Sequence, residues 1–176
     1  MNTTRKLNME PEHERIPLLG GHFALVDKED YERLSQFQWY IRKAKNTAYA
    51  IRNRQAWEGK AGETIIMHRE ILPTPGPVDH INRNGLDNRR ANLRPATNSQ
   101  NSQNIGRRSD NTSGFKGVGI YKPKGNWRAR ISPEPGKRIT IGYFSTPVEA
   151  AIAYDVAAIK YHGEFAVLNF PEGAPK

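Results

Sequence analysis

Polar side chains are concentrated in one stretch of the chain, VDHINRNGLDNRRANLRPATNSQN, residues 78–101. It holds one histidine, two aspartates and six asparagines. A carboxylate and an amide oxygen are hard ligands that suit Mg²⁺, and a neutral imidazole can take a proton from water. Asp79, His80, Asn92 and Asn101 therefore have the side chains that phosphodiester hydrolysis needs, where a base makes the nucleophile and a metal offsets developing charge.

Two short strands and a helix would bring these side chains together. We expect strands over residues 78–82 and 93–96, joined by a loop around Gly85. Thr97 is a good N-cap for a helix that then runs through Asn101. This arrangement predicts a ββα unit at the centre of the chain.

In such a unit Asp79, His80 and Asn101 converge. The amide of Asn92 would tie the loop, so that the His80 ring keeps one orientation and one tautomer. The alternative is a polar loop held by local turns, in which asparagine is common.

The same stretch resembles the HNH endonuclease motif, in the variant whose last histidine is replaced by asparagine. The resemblance rests on D-H, on N-L-R and on the final N at the family spacing. It implies the ββα-metal fold, with His80 as the general base and Asn92 as the structural central asparagine of the catalytic unit. It also implies Asp79 and Asn101 as ligands of one divalent metal ion, Mg²⁺ or Mn²⁺, with no structural zinc.

Two upstream segments, FALVDKEDYERL and MHREIL, resemble the amino-terminal half of HNH homing endonucleases from phages and mobile introns. The pattern there predicts a hairpin at Gly20-Gly21, a short helix near residues 29–34, two or three antiparallel strands and a helix at 67–72. For His68 and Arg69 two interpretations stay open. Arg69 would contact a phosphate, or both residues would serve in packing or helix capping.

The carboxy-terminal third of the chain carries the clearest local patterns. FKGVGIY, NWRARIS and KRITIGYF alternate apolar and polar residues, which predicts a three-stranded antiparallel sheet. A helix follows, with Thr146 as N-cap, Pro147 at its first position and Glu149 closing a capping box. Gly163 is placed to end it.

One face of that sheet is predicted to be basic. Alternation turns Trp127, Ala129 and Ile131 towards the helix. The opposite face then carries Arg128, Arg130, Arg138 and Thr140. A basic sheet can enter the ~12 Å major groove of DNA, where arginine recognises guanine. The alternative is an ordinary solvated sheet face.

This segment resembles the Apetala-two/ethylene-response-factor type DNA-binding domain, through W-x-A-x-I, I-G-x-F, E-A-A-x-A-Y-D-x-A-A, H-G and N-F-P. The resemblance covers about sixty residues and implies a three-stranded sheet that lies in the major groove. The positions that contact DNA in the family correspond to Lys116, Tyr121, Arg130, Arg138 and Thr140. Gly119 and Ser132 stand where plant members have Arg, and Thr140 stands where they have Trp, so the plant sequence preference is not expected.

Composition bounds the partners. The net charge is +9, and residues 113–144 hold seven basic residues against one acidic residue, a net +6. Such a charge favours a polyanionic partner. The chain has no Cys, which excludes disulfides, thiolate catalysis and Cys-based zinc sites. No apolar run is long enough to span a bilayer and the amino terminus lacks a signal-peptide core, so we expect a cytoplasmic protein, in the host cytosol if phage-encoded, that is not secreted.

These observations predict an α+β protein in which an amino-terminal HNH ββα-metal unit precedes a three-stranded antiparallel sheet packed on one helix. The predicted limits are a flexible tail at 1–15, a nuclease domain at 16–104 with its core at about 76–104, a linker at 105–113 and a DNA-binding domain at 114–171.

The predicted function is a homing-type, site-specific DNA endonuclease that acts on double-stranded DNA. Because one active site cuts one strand, we expect a nick, made by a monomer without an obligate protein partner. Two alternatives remain, a sequence-specific DNA-binding regulator with an inactive HNH unit and an RNA-binding protein. The latter needs aromatic stacking residues on the sheet, where Tyr121 is the one candidate.

Overall fold

A computed structural model describes residues 13–60 and 62–174. The chain divides into two compact units, Met1–Pro95 and Ala96–Lys176. Helices and several separate sheets occur in the described residues, so the predicted α+β class is confirmed. None of the helices described has the length and apolar composition to cross a membrane.

The largest sheet of the first unit has five strands. They are β1 His13–Leu19, β2 His22–Asp27, β3 Trp39–Lys43, β4 Ala48–Asn53 and β5 Thr64–Ile66. Their order is β2-β1-β3-β4-β5, and all neighbours are antiparallel except β1 and β3. Gly20 and Gly21, both with positive φ, make the predicted hairpin turn between β1 and β2.

Strand β1 begins at His13, so the predicted tail of residues 1–15 is too long by its last three residues. Ile16 and Leu18 alternate into the core, and this alternation extends the pairing with β2 back to His13. The remainder of the predicted tail lies outside the described residues.

Two helices cover one face of this sheet, α1 Lys28–Ser35 and α2 Met67–Ile71, close to the predicted ranges. The indole N–H of Trp39 donates to the Leu34 carbonyl at 2.8 Å, which fixes the end of α1 against the sheet. The core between these elements is aliphatic and aromatic, and its largest fully buried side chains include Trp39, Ile16, Leu34, Met67, Ile71 and Val26.

The core of the first unit also contains a buried cation, the guanidinium of Arg52. Arg52, 2% exposed, donates to both carboxylate oxygens of Glu58 at 2.6 Å and also pairs with Glu70. Its guanidinium lies 3.8 Å from the ring centroid of Phe37. The hydrogen bonds from Arg52 lower the pKa of Glu58 to about 2.

A second, two-stranded sheet consists of β6 Val78–His80 and β7 Leu93–Pro95. Both strands are shorter than predicted. Strand β6 ends at His80 because the chain turns there, and the Arg83 N–H donates to the His80 carbonyl at 2.8 Å. A 3₁₀ turn, Arg90–Asn92, leads back into β7.

The second unit contains α3 Asn98–Gln103, β8 Val118–Tyr121, β9 Asn126–Glu134, β10 Lys137–Phe144 and α4 Pro147–His162. Its sheet is antiparallel with the order β10-β9-β8, as predicted. Capping boxes built on Thr97 and Thr146 start α3 and α4, and Gly163, with φ 53°, ends α4. Both predicted caps are confirmed.

Helix α4 is fastened to the end of the unit by one carboxylate. Asp155, 8% exposed, accepts the backbone N–H groups of Asn169 and Phe170, at 2.8 and 2.9 Å, and the Asn169 side-chain amide at 3.0 Å. The Asn169 amide oxygen accepts the Lys116 N–H at 2.7 Å. This network anchors the closing segment beside the start of the sheet.

The boundary between the units falls at Pro95, so both α3 and residues 105–113 belong to the second unit. The Asn111 side chain donates to the carbonyls of Phe115 and Val118, at 2.9 and 3.2 Å, and holds the predicted linker against β8. The remaining predicted domain limits stay a prediction.

Candidate functional site

The pair Asp79-His80 lies inside β6, all three residues of which are buried. Asp79 is opposite Arg94 in β7, and the Arg94 Nη2 lies 2.8 Å from the Asp79 Oδ2. A buried carboxylate needs such a partner, because its charge is costly away from water. The strand pairing therefore places an acid with a balanced charge next to a histidine.

Side chains of His68, Tyr49 and Asn88 lie against the His80 ring. His68, from α2, meets it edge to face with centroids 4.9 Å apart, and Tyr49, from β4, lies at 5.9 Å. The Nε2 atom of His80 is 3.2 Å from the Asn88 Oδ1. Burial lowers the pKa of His80, although Asn88 and nearby aspartates act in the opposite direction. At neutral pH the ring is thus uncharged, the form in which it accepts a proton.

His68 is packed inside the protein, in agreement with one of the two interpretations of the sequence. It is 6% exposed, and burial lowers its pKa to about 3. Arg69, next to it, is exposed on the surface of α2. Its contact with a phosphate stays a prediction.

Asn92 ties the loop between β6 and β7. Its Nδ2 donates to the Asp87 carbonyl at 2.7 Å and to the Asn82 Oδ1 at 3.0 Å. Its Oδ1 accepts the Asn82 N–H at 2.9 Å. These are the bonds expected of a structural asparagine, while its part in catalysis stays a prediction.

Two residues of this loop were missed by the sequence interpretation, Asp87 and Asn88. Both are buried, at 2% and 1% exposure. Burial tends to raise the pKa of Asp87, but the hydrogen bonds and charge of Arg89 outweigh it, so the pKa is lowered. Asn88, which the sequence does not distinguish from its neighbouring asparagines, contacts His80 directly. The clustering of asparagines was the available signal, but it did not distinguish among them.

The far side of the loop is attached to α1. Arg90 donates to the two carboxylate oxygens of Asp30, at 2.9 and 3.0 Å, and Asp30 is 2% exposed. The Arg90 backbone N–H also donates to Asp27 at 2.7 Å. The loop therefore has one face on the histidine and the other on α1.

Gly85 brings the loop against β4. Its N–H donates to the Thr47 hydroxyl at 2.9 Å. A Cβ at this position would collide with the Ala48 carbonyl and with the Tyr49 ring. The close approach requires glycine.

The predicted metal ligands are Asp79, in β6, and Asn101, in α3. Asn101 is exposed and belongs to the second unit. Within 13–60 and 62–174, no group of three or more His, Cys, Asp or Glu residues could hold a metal ion.

The sheet of the second unit has the predicted two faces. Ala129 and Ile131 are buried against α4, with Trp127 and Ile141 partly buried beside them. On the other face Arg130 pairs across the strands with Thr140, and Arg128 pairs with Tyr143.

Arginine charges on this face are not neutralised by the protein. Within the described part of the chain, no carboxylate forms a salt bridge with Arg128, Arg130 or Arg138. Burial and the neighbouring charges of Arg128 and Arg138 lower the pKa of Arg130. Such a cluster attracts anions.

Two tyrosines accompany the arginines. The rings of Tyr121 and Tyr143 lie 4.7 Å apart, and the Arg128 guanidinium lies 5.4 Å from the Tyr121 ring centroid. Tyr143 is 49% exposed. The sequence interpretation had identified Tyr121 alone.

Lys116 lies in the loop before β8 and not on a strand. Its Nζ donates to the Gln103 carbonyl at 2.7 Å. Its backbone is bound to Asn169 on both sides, through N–H and carbonyl. Its role as a DNA contact stays a prediction. The hydrogen bond from its Nζ to the Gln103 carbonyl does not favour that role.

A family model described as HNH endonuclease matches residues 72–103. Several curated plant proteins are similar to this chain. The AP2-like ethylene-responsive transcription factor CRL5 of Oryza sativa subsp. japonica is 39% identical over 103 residues, which is 54% of this chain and 16% of the relative. The AP2-like ethylene-responsive transcription factor ANT of Arabidopsis thaliana is 37% identical over 103 residues, 54% of this chain and 18% of the relative.

APETALA2-like protein 2 of Oryza sativa subsp. indica is 50% identical over 60 residues, 34% of this chain and 14% of the relative. The chain thus spans less than a fifth of the length of these relatives. No solved structure matches it. The comparisons bear out the similarity to HNH endonucleases around the loop and to AP2-like proteins over about half of the chain.

Proposed function

We propose that this chain is a metal-dependent DNA endonuclease whose carboxy-terminal sheet binds double-stranded DNA. The observation that carries the proposal is the buried Asp79-His80 pair, which lies within the residues matched by the HNH endonuclease model. A neutral, buried histidine next to a carboxylate is an arrangement suited to proton abstraction from water.

In the proposed reaction His80 accepts a proton from a water molecule as the water oxygen bonds to the phosphorus of the DNA backbone. The bond between phosphorus and the 3′ oxygen breaks, and the departing oxygen is protonated from solvent. The phosphodiester therefore yields a 5′ phosphate and a 3′ hydroxyl.

A divalent ion, Mg²⁺ or Mn²⁺, would supply stabilisation of the negative charge on the phosphate and on the departing oxygen. Asp79 fits such an ion as a hard oxygen donor, and the amide of Asn101 is proposed as the second protein ligand on the resemblance of the motif. Arg94 balances the charge of Asp79 in the protein described here.

The proposed DNA-binding surface is the sheet face that carries Arg128, Arg130 and Arg138. Within the described residues no carboxylate forms a salt bridge with these arginines, and a small sheet can enter the major groove. Tyr121 and Thr140 lie on the same face and are proposed as further contacts.

The finer features of the proposal follow from the resemblance. We propose a homing-type activity on one selected DNA site. Each chain carries one His80, so a monomer would cut one strand and leave a nick.

A second candidate is a DNA-binding regulator whose HNH unit does not cut. Two observations favour it: the curated relatives are transcription factors, and Arg94 pairs with the carboxylate that the metal would need. An RNA-binding role is favoured less, although the Tyr121 and Tyr143 pair adds an aromatic surface.

The test is cleavage of supercoiled plasmid carrying sites selected from a random DNA library, with Mg²⁺ or Mn²⁺ and with a chelator. We expect metal-dependent conversion to nicked circle, which His80→Ala abolishes. The control His22→Ala removes an exposed histidine of β2 and should leave cleavage intact. Tight binding without cleavage, by the unmodified protein, would favour the regulator.

A further inference from the structure

The amide of Asn88 is held between two side chains in the core of the first unit. Its Oδ1 lies 3.2 Å from the His80 Nε2, and its Nδ2 lies 3.5 Å from the Met67 Sδ. All three residues are buried, and Met67 is 0% exposed. The orientation of this amide is therefore decided by protein groups alone.

The methionine sulfur selects one of the two orientations of the amide. A thioether has lone pairs and no hydrogen to donate, so it attracts an N–H group and repels a carbonyl oxygen. With Nδ2 directed at Met67, the Oδ1 must face His80. A flipped amide would place an oxygen against the sulfur and lose the weak hydrogen bond to it.

The orientation of Asn88 in turn determines the tautomer of His80. A carbonyl oxygen only accepts hydrogen bonds, so the Nε2 atom that faces it must carry the hydrogen. In the neutral ring the other nitrogen, Nδ1, then has the lone pair. The edge of His68 against the ring and the nearby Tyr49 resist rotation that would exchange the two nitrogens.

We propose that Met67 and Asn88 are positioning residues that make Nδ1 the basic nitrogen of His80. The inference rests on the proposed endonuclease function, since it names the groups that prepare the base for it. Neither residue touches DNA in this scheme. Both act through the ring of His80.

The first test is ¹⁵N NMR of the histidine side chains in the full chain, with His80→Gln to assign the His80 signals. We expect the Nε2–H tautomer in the unmodified protein. Met67→Leu and Asn88→Leu, which remove the sulfur and the amide, should give a mixture of the two tautomers.

The second test is single-turnover and steady-state cleavage of the selected DNA. Loss of a residue that orients a catalytic group typically costs roughly 10- to 100-fold in activity. We expect Asn88→Leu to lower kcat within that range without changing KM. Asn84→Ser is the matched control, because Asn84 lies in the same loop but is exposed and binds only backbone.

Circular dichroism and unfolding by urea identify variants that have lost the fold. If Asn88→Leu is among them, Met67→Leu, which is nearly equal in volume, is the deciding variant. An Nδ1–H tautomer in the unmodified protein overturns the proposal, as does a wild-type kcat in a folded Asn88→Leu protein. A protein that cuts no DNA but shows the expected tautomers contradicts the endonuclease function and leaves the orientation by Met67 and Asn88 established.

Discussion

The imidazole rings of His68 and His80 meet edge to face in the core of the first unit, with centroids 4.9 Å apart. Both are nearly inaccessible to water, at 6% and 5% exposure. A proton on either ring would place a cation in this apolar setting, beside a second ring that could be protonated only at further cost. The pair is therefore stable in its neutral form.

Because both rings are neutral in the folded protein, we expect the protein to lose stability in mild acid. The folded pKa of His68 is about 3, whereas a histidine in an unfolded chain has a pKa of about 6.5. Stability from the neutral ring is complete above the unfolded pKa and is lost as pH falls below it, because the unfolded chain binds a proton that the folded chain does not. The expected slope is about 1.4 kcal/mol per pH unit for each such histidine.

Urea unfolding between pH 7 and pH 5 measures this slope. The variant His68→Phe keeps an aromatic ring. It should reduce the slope of the unfolding free energy against pH by the contribution of one histidine. Equal slopes in the two proteins would show that His68 is protonated in the folded state.

The buried guanidinium of Arg52 predicts a large stability effect. Arg52→Met leaves Glu58 and Glu70 without their partner and removes the contact with Phe37. Breaking a buried ion pair on one side costs about 3–5 kcal/mol. The free energy of unfolding should fall by that amount, as measured by urea titration.

Arg54→Met is the matched control for this prediction. Arg54 pairs with Glu63, but the two side chains are 33% and 54% exposed, and a pair at the surface is worth about 1 kcal/mol or less. A similar loss in both variants would mean that the buried charge of Arg52 is not the cause.

We expect the stability of the second unit to depend on the carboxylate of Asp155. Asp155→Leu would leave the N–H groups of Asn169 and Phe170 without an acceptor, and hydrogen bonds to charged groups contribute about 1.5–3 kcal/mol. We expect a loss of that order, with increased hydrogen exchange at the two N–H groups. Asp110→Leu, at an exposed aspartate, should leave both measurements unchanged.

The basic sheet predicts a change in the salt dependence of DNA binding. Arg130→Ala should weaken binding to the selected site and, if the side chain neutralises a phosphate, reduce the slope of log K against log salt by about one. Lys160→Ala removes the same charge from the exposed surface of α4 and is expected to leave the slope intact. Equal effects of the two substitutions would mean that net charge and not the sheet face binds DNA.

The elements of the fold were predictable where a local pattern determines them. Thr146, Pro147 and Glu149 start α4 through contacts within one turn, and the alternation in β9 is local to that strand. The length of β6 was not predictable, because it ends where a carbonyl of His80 binds the next turn and not where the pattern changes.

Tyr143 shows why the second aromatic residue of the sheet was missed. Simple alternation from Arg138 and Thr140 would turn Tyr143 towards α4. The register shifts between Thr140 and Gly142, so the residues that follow reverse their faces. Tyr143 emerges beside Tyr121, and Phe144 packs in the core. A bulge of this kind depends on the partner strand.

Asn88 illustrates a different limit. The sequence contains six asparagines between residues 78 and 101, and all of them suit turns. Which one reaches His80 depends on how the loop folds over Met67 and the end of β2, where the Asn88 N–H donates to the Leu25 carbonyl at 2.8 Å. The contact is set by residues distant in sequence.

A side chain at position 85 would affect the surroundings of His80. A methyl group there would collide with the Ala48 carbonyl and with the Tyr49 ring, which contacts the His80 ring. One nucleotide substitution turns a glycine codon into an alanine codon, so a descendant of this chain would need a single mutational step to disturb the setting of His80. Under the proposed function, that step would separate cutting from binding, because the sheet of the second unit is built from other residues.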